Sequence, residues 1–193
     1  MGSAGDVNST LPWAVIGAGP TGLSAARNLQ RRGIPFVGFE IHSDVGGLWD
    51  IESRKSTMYE SAHLISSKTT TAYDEFPMRD EVADFPSHWE MNTYFKEYAD
   101  TFDLRRNYRF ETEVIGAEPE DPGNPESVWR VSTRDEEGKE ETGRFAGVLI
   151  ANGILSEPNI PSFEGEEDFE GEIQHTATYK RPDIFRDKRV LIV

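Results

Sequence analysis

The chain has 193 residues, of which 36% are hydrophobic and 11% aromatic, a composition typical of one full domain or of one domain and part of a second. Its formal net charge of −15 argues against nucleic acid or an anionic membrane surface as a partner. The absence of cysteine excludes disulfides, thiolate metal sites and a cysteine nucleophile, and it fits a reducing compartment, so we expect a cytoplasmic protein.

The first residues, MGSAGDVNST, are small and polar and lack an apolar core, so residues 1–10 are predicted to form a flexible tail and not a signal peptide. No apolar run in the sequence approaches membrane-spanning length. Acidic residues concentrate at 111–141 and 157–172. We interpret these runs as solvated loops and hairpin edges, with a docking face for a basic partner as the alternative.

The first regular elements follow the tail directly. Residues 12–16, PWAVI, form a short apolar run that breaks at glycine, which predicts a buried strand. Residues 21–33, TGLSAARNLQRRG, have apolar residues at helical spacing, a basic last turn and Gly33 as a stop signal. Residues 35–40, PFVGFE, predict a second strand. Strand, glycine-rich turn, helix and strand in this order indicate the opening of a βαβ unit.

The middle of the chain is less regular. Residues 41–90 lack clear periodicity, and a loop-rich segment of this length is more often functional than idle. The elements predicted beyond it are a helix over 92–102, strands at YRFETEVIGAE and VWRVSTRDEEGKEETGRF with a hairpin turn near Glu137-Gly138, and an apolar strand over 147–151. The last residues, KRVLIV, are predicted to be the first strand of another unit.

A glycine-rich turn carries the strongest functional signal. Residues 17–22 read Gly-Ala-Gly-Pro-Thr-Gly, a G-x-G-x-x-G that follows a predicted strand and opens a predicted helix. In such a turn Gly17 permits the tight bend, Gly19 lets the backbone approach a pyrophosphate, and Gly22 permits close helix–strand packing. Glu40 ends the next strand, where a carboxylate accepts hydrogen bonds from ribose hydroxyls. The alternative is a glycine-rich turn with an unrelated surface carboxylate.

The identity of the dinucleotide is narrowed by two further features. A carboxylate at Glu40 repels a 2′-phosphate, which disfavours NADP at this site. Residues 44–49, DVGGLW, place two glycines before Trp49, so the chain can pass close to a ligand and an indole can cover an aromatic ring system. This pattern favours FAD over NAD, with a turn that holds a core tryptophan as the alternative.

Four stretches together resemble a known family, the flavin-containing monooxygenases, within the larger group that also holds the Baeyer–Villiger enzymes. They are GAGPTG with Glu40, GGLW, YESAHLISSK with DEFP, and FEGEIQHTATY, and the resemblance covers roughly residues 11–193. The last stretch matches the family's F-x-G-x-x-x-H-x-x-x-Y pattern. Its final residue, Tyr179, is what the N- and S-oxygenating branch shows, whereas the Baeyer–Villiger branch usually has tryptophan there.

The resemblance implies an enzyme with two dinucleotides. FAD is bound by the part seen here, and NADPH or NADH is bound by a second Rossmann unit that lies mostly outside this chain. Hydride reduces the flavin, O2 adds to form a C4a-hydroperoxyflavin, and this species oxygenates a small-molecule amine or sulfide. The FAD contacts implied by the family are Gly17, Ala18, Gly19, Pro20, Thr21, Gly22, Glu40, Gly47, Leu48, Trp49, Val114 and Ala151.

One position departs from the family pattern where the flavin reacts. Many members carry an asparagine six residues after the tyrosine that corresponds to Tyr59, and its amide supports the peroxide; here that position is Ile65. Either Ser66, Ser67 or His63 takes over the role, or the oxygenating half-reaction is altered. Ile65, Ser66 and His63 are therefore the candidate catalytic positions, although His63 is also compatible with an ordinary exposed loop histidine.

The remaining histidines offer no catalytic pattern. His175 lies inside the family motif, where we interpret it as a structural part of the linker between two domains and not as an acid or base. The four histidines of the chain show no metal-ligand spacing, so we predict no metal site.

The predicted fold class is α/β. A Rossmann-like FAD-binding domain with a parallel sheet and a β-hairpin or meander insertion is expected over 11–156, and a linker with the start of an NAD(P)-binding domain over 157–193. We expect a fragment of a longer protein or an N-terminal half that pairs with a complementary C-terminal chain, and a homo-oligomer is also compatible. Three functions stay open: an NAD(P)H-dependent flavin monooxygenase, an uncoupled flavin oxidase or reductase, and a non-catalytic FAD-binding module.

Overall fold

The computed structural model describes residues 10–53, 55–155 and 157–193, so the predicted tail lies outside the described residues except for Thr10. The chain divides into two compact units, one made of 10–47 with 93–153 and the other of 48–92 with 154–193. Among the helices of the described residues, none is both long enough and apolar enough to cross a membrane.

The described chain contains seven strands and three α-helices. They are β1 (Trp13–Ile16), α1 (Pro20–Arg31), β2 (Phe36–Phe39), α2 (Lys68–Thr71), α3 (His88–Thr101), β3 (Tyr108–Arg109), β4 (Thr112–Pro119), β5 (Trp129–Asp135), β6 (Glu140–Phe145) and β7 (Gly147–Ile150). Short 3₁₀ helices lie at Gly47–Trp49, Arg105–Asn107, Glu166–Asp168, Thr176–Thr178 and Pro182–Phe185.

The first unit is built on a parallel sheet with the strand order β3-β2-β1-β7. β1 pairs in parallel with β2 and, on its other side, with β7. These strands are short and apolar, as expected of a parallel sheet whose faces are covered. The βαβ opening and the return of 147–151 to the central sheet are thus confirmed, and the fold is Rossmann-like.

A second, antiparallel sheet of the same unit contains β4, β5 and β6 in that order. The turn between β5 and β6 passes through Gly138 with a φ of +83°, at the predicted hairpin position. The two sheets share a core of buried side chains in which the rings of Phe39 and Phe145 meet edge to face, with centroids 5.8 Å apart. The predicted hairpin or meander insertion is therefore present and packs on the parallel sheet.

Helix α1 spans Pro20–Arg31, so it begins one residue before the predicted stretch TGLSAARNLQRRG and ends before Gly33, as expected. Pro20 occupies its first turn, where the missing N–H costs no hydrogen bond. Its buried face contains Leu23, Ala26 and Leu29. After Arg32 the chain passes through Gly33 with a φ of +66°, and the Gly33 amide donates to the carbonyl of Gln30. This left-handed glycine ends the helix.

Helix α3 starts four residues earlier than the predicted 92–102. The cause is a capping box, in which the Ser87 amide and hydroxyl both donate to Oε2 of Glu90, at 2.9 and 2.7 Å. The Ser-x-x-Glu spacing of SHWE was a readable start signal, and the predicted start of this helix was wrong because it followed the apolar periodicity alone.

The second unit has few regular elements. Its segments are connected by isolated β-bridges, such as the antiparallel bridge between His63 and Ser87. Residues 188–193, predicted as a strand, have no strand conformation and are exposed. A strand needs a hydrogen-bonding neighbour, and the apolar character of KRVLIV is not sufficient to form one here.

Candidate dinucleotide-binding site

The turn after β1 can be formed only with glycine at its first and last positions. Gly17 has a φ of +103°, and a Cβ on it would lie 2.4 Å from the carbonyl oxygen of Ala151, at the end of β7. A Cβ on Gly22 would lie 1.9 Å from the carbonyl oxygen of Gly17. The turn, the start of α1 and the end of β7 are therefore packed backbone against backbone.

A second pair of glycines meets beside this turn. A Cβ on Gly47, whose φ is +59°, would lie 2.8 Å from the Cα of Gly19, and the Gly46 amide donates to the Ala18 carbonyl at 3.1 Å. The chain segments GAGPTG and VGG thus contact each other without intervening side chains. Such a surface lets a phosphate approach backbone N–H groups closely.

Glu40 is buried next to the same turn, with 5% of its surface exposed. Its Oε2 accepts a hydrogen bond from the Ala18 amide at 2.6 Å, and its Oε1 accepts one from the His42 amide at 3.0 Å. A buried carboxylate that has two backbone donors is held in a single orientation. Glu40, the predicted acceptor for ribose hydroxyls, is therefore hydrogen-bonded directly to the glycine turn.

Tyr108, which the sequence analysis did not identify, lies beneath the turn. Its hydroxyl donates to the Gly17 carbonyl at 3.4 Å, and a Cβ on Gly38 would lie 2.3 Å from its ring. Burial raises the pKa of Tyr108, and the nearby Glu40 carboxylate raises it further. The phenol therefore remains protonated and keeps its donor to the turn.

Asp44 lies just before Gly46 and Gly47 in the chain, and the sequence patterns did not identify it as a site residue. It forms ion pairs with Lys96, at 3.0 Å, and with Arg105. Burial acts to raise the pKa of Asp44, but the hydrogen bonds from Arg105 and Lys96 outweigh it and lower the pKa below its usual value. An acid placed directly before Val-Gly-Gly was the available signal, but its two cationic partners are distant in the sequence.

The other predicted FAD contacts lie on different elements. Ala151 follows β7, and its amide donates to the Ile16 carbonyl at 2.8 Å. Val114 lies in β4 and packs against the core, two residues after Thr112, whose amide donates to the Glu40 carbonyl at 2.9 Å. Pro20 and Thr21 form the start of α1, whereas Leu48 and Trp49 complete the 3₁₀ helix Gly47–Trp49 and belong to the second unit.

The candidate catalytic residues all lie in one segment of the second unit. The side chain of Ile65 is 98% exposed. The Ser66 hydroxyl is hydrogen-bonded to that of Thr71 at 2.8 Å, and His63 Nδ1 lies 3.2 Å from the Phe85 carbonyl oxygen. Ser67 likewise bonds to neighbouring threonines. The donors that flank Ile65 thus already have protein partners.

Within the described ranges, no group of three acidic or histidine side chains is arranged to hold a metal ion.

The stretch FEGEIQHTATY has a local structural order of its own. His175 Nδ1 accepts a hydrogen bond from the Ala177 amide at 3.1 Å and so caps the 3₁₀ helix Thr176–Thr178. The ring of Tyr179 contacts those of Tyr59 and Phe185, with centroids 5.4 and 5.6 Å apart. A capping contact of this kind supports the structural interpretation of His175.

The residues of the first unit fit a bound dinucleotide. A Cβ-free surface, a helix N-terminus and a buried acceptor converge at the carboxyl ends of parallel strands, where ligands bind in open α/β sheets. These features define a Rossmann-like dinucleotide-binding domain.

Comparison with known proteins identifies the family. The family model described as flavin-binding monooxygenase-like matches residues 12–193, and the chain belongs to this family. It is 35% identical over 186 residues to dimethylaniline monooxygenase [N-oxide-forming] 4 of Mus musculus, covering 93% of this chain and 33% of that protein. The chain thus spans about a third of the length of the curated relatives it matches.

Two solved structures are similar to the chain. The S-allyl-L-cysteine S-oxygenase from Allium sativum has a TM-score of 0.79 at 26% identity, over 92% of this chain and 44% of that one. The complex of OTEMO with FAD and NADP has a TM-score of 0.68 at 29% identity, over 88% of this chain and 30% of that one.

Proposed function

We propose that this chain is the FAD-binding portion of an NAD(P)H-dependent flavin monooxygenase that oxygenates soft nitrogen or sulfur nucleophiles. The observation that carries the proposal is the junction of the glycine turn with Glu40, in which the Ala18 amide donates to the carboxylate at 2.6 Å. Membership of the flavin-binding monooxygenase-like family directs this site to a flavin nucleotide.

Each residue of the junction has a task in this proposal. The Cβ-free contact of Gly19 with Gly47 admits the pyrophosphate to the backbone, and the N-terminus of α1 stabilises its negative charge. Glu40 accepts ribose hydroxyls while its two amide donors keep it in place. When bound, the flavin supplies the redox chemistry towards O2 and the substrate; the protein binds it, orients it and excludes water.

The substrate class and the nicotinamide cofactor are proposed from the chain's similarity to named proteins. The Mus musculus relative is named for N-oxide formation and the Allium sativum structure for S-oxygenation, which supports a small-molecule amine or sulfide as the substrate. The OTEMO complex contains FAD and NADP, which supports a nicotinamide cofactor in addition to FAD. We propose that this second cofactor, NADPH or NADH, is held by residues beyond this chain, within a longer protein or on a complementary C-terminal chain. A cytoplasmic location and a homo-oligomer stay predictions from the sequence.

A selective test replaces Gly19 by alanine. A Cβ at this position would lie 3.5 Å from the Gly47 Cα, an ordinary contact, so the fold accommodates it while the methyl group obstructs the phosphate surface. We expect the FAD dissociation constant, measured by flavin fluorescence, to rise at least about tenfold. Loss of the helix-start glycine should lower the free energy of unfolding by about 1 kcal/mol or less.

Gly116→Ala is the matched control, because a Cβ there meets nothing within 4 Å. This variant should bind FAD with wild-type affinity. A wild-type chain that binds no FAD, or a Gly19→Ala chain that binds it as tightly as wild type, would overturn the proposed function.

A second candidate is a flavin oxidase that releases H2O2. It is favoured by Ile65, which carries no hydrogen-bond donor, and by the flanking Ser66 and His63, which already have protein partners. The ratio of oxygenated product to H2O2, measured in the holoenzyme with an amine or sulfide substrate, separates the two. Oxygenated product as the main outcome favours the monooxygenase, and H2O2 with almost no oxygenated product favours the oxidase.

A further inference from the structure

The residue after the family motif, Lys180, binds backbone of the second unit. Its Nζ lies 2.6 Å from the Ser56 carbonyl oxygen, 3.0 Å from that of Met58 and 3.4 Å from that of Ile51. An ammonium group has three N–H donors, so these three acceptors use all of them. Lys180 therefore holds together a loop that is more than a hundred residues away in the chain.

The loop that contains Ser56 is also hydrogen-bonded to Leu48, the residue that follows Gly46 and Gly47. The Ser56 hydroxyl donates to the Leu48 carbonyl at 2.5 Å and accepts from the Met58 amide at 3.1 Å. Ser56 is buried, with 5% of its surface exposed. A continuous path of hydrogen bonds thus runs from the Lys180 ammonium through Ser56 to Leu48.

The end of the motif is fixed to this loop by two further contacts. The Lys180 carbonyl accepts from the Glu60 amide at 2.8 Å, and the Tyr179 ring contacts that of Tyr59. Burial lowers the pKa of Lys180, while the charge of Glu52 acts in the opposite direction. The ammonium is thus held mainly by neutral carbonyl dipoles, and its loss would leave three of them without this donor.

We propose that Lys180 is a positioning residue for the flavin site. It orders the loop that contains Ile51, Ser56 and Met58, and through Ser56 it orients the turn at Leu48–Trp49, which contacts FAD in the proposed function. The inference rests on the proposed function, because it assigns Lys180 a role in that same site. In this proposal, the segment at the end of the motif FEGEIQHTATY helps to order the residues that bind FAD. The Lys180 side chain itself does not touch the cofactor in this scheme.

Lys180→Met tests the proposal, because methionine keeps the length of the stem and removes the donors. In the full chain we expect faster amide hydrogen exchange at residues 48–58 and an FAD dissociation constant raised about tenfold, the effect of losing roughly one charge-assisted hydrogen bond. The fluorescence of bound flavin should also change, because the loop whose Ser56 hydroxyl donates to the Leu48 carbonyl is loosened.

Lys68→Met is the matched control. Lys68 also directs its Nζ to three carbonyls of the second unit, those of Arg79, Asp80 and Val82. Among the described residues, no hydrogen bond of the Lys68 side chain leads to Ser56 or Leu48. It should lose a comparable amount of stability while exchange at 48–58 and FAD affinity stay unchanged. Equal losses of FAD affinity in both lysine variants would reduce Lys180 to a general stabiliser and overturn the proposal.

Rescue provides a second readout that general destabilisation does not reproduce. The 193 residues contain no cysteine, so Lys180→Cys introduces a single thiol that can be aminoethylated to a lysine analogue. FAD affinity should be low in the thiol form and return to near wild-type after aminoethylation. A modified protein that stays weak, or a Lys180→Met chain with wild-type affinity, overturns the inference alone, whereas a wild-type chain without FAD binding overturns the proposed function as well.

Discussion

The backbone amide of Ala18 donates a 2.6 Å hydrogen bond to Oε2 of Glu40, 22 residues further along the chain. The contact joins the glycine turn to the end of the neighbouring strand, so the two sequence signals for a dinucleotide form one hydrogen-bonded unit. Changes to either residue should therefore affect folding and cofactor binding together.

Glu40→Gln should reduce both the stability of the fold and the affinity for FAD. One carboxylate oxygen would become an NH2 group that faces the Ala18 or the His42 amide, leaving a buried donor without an acceptor. We expect a loss of about 1–3 kcal/mol in the free energy of unfolding, measured by urea titration, together with weaker FAD binding. Glu118→Gln, which breaks an exposed pair with Arg130, should cost about 1 kcal/mol or less, and equal losses in the two variants would contradict the assignment.

Gly22→Ala should prevent or strongly weaken folding of the first unit. The added Cβ would lie 1.9 Å from the Gly17 carbonyl oxygen, which is backbone and cannot rotate away. We expect a loss above about 3 kcal/mol, the range of severe core and backbone conflicts, visible as a lowered midpoint in thermal unfolding. A Gly22→Ala chain as stable as Gly116→Ala would show that the turn is not packed as described.

Asp44→Asn should remove a pH-dependent part of the stability. The pKa of Asp44 is lowered in the folded chain, so its contribution is fully present above the unfolded value of about 4 and is lost as the pH falls through the folded-state pKa. Near pH 7 we expect the variant to be less stable by roughly 1 kcal/mol, because two partly buried ion pairs are lost.

The pH dependence distinguishes this effect from a packing defect. Unfolding curves recorded between pH 7 and pH 3 should show wild type and Asp44→Asn converging below about pH 4. Asp183→Asn, which loses only an exposed pair with Arg186, should show a much smaller gap at every pH. A gap for Asp44→Asn that stays constant down to pH 3 would contradict the prediction.

Ile65→Asn should improve the coupling of O2 reduction to substrate oxygenation in the holoenzyme. The substitution supplies an amide donor at a position that is 98% exposed, so stability should hardly change. One added hydrogen bond to a charged group corresponds to roughly a tenfold rise in the ratio of oxygenated product to H2O2. Ile65→Leu, which adds no donor, is the control, and a parallel rise in both variants would contradict a role for the amide.

Sequence alone predicted the elements whose causes are local. The glycine turn, the Gly33 stop of α1, and Glu40 at a strand end all depend on residues within a few positions of each other. The SHWE capping box was equally local and was overlooked. By contrast, the partners of Asp44 and Lys180 are dozens to more than a hundred residues away, and neither spacing nor periodicity encodes such pairings.

The same distinction explains the two outcomes at the apolar strands. GVLIA became β7 because β1 offers it a pairing edge, whereas KRVLIV has the same apolar character and forms no strand. Apolarity shows that a segment favours burial, but pairing depends on a neighbour that a sequence pattern does not identify.

The strand order has a consequence during biosynthesis. Trp13 of β1 pairs with Phe36 on one side and with Gly147 on the other, so the second partner is translated more than a hundred residues after the strand it completes. At about 5–20 residues per second the ribosome needs roughly ten seconds for that interval. Meanwhile one edge of an apolar strand is open to pairing with other chains. The late position of β7 therefore leaves this domain exposed to aggregation while it is being translated.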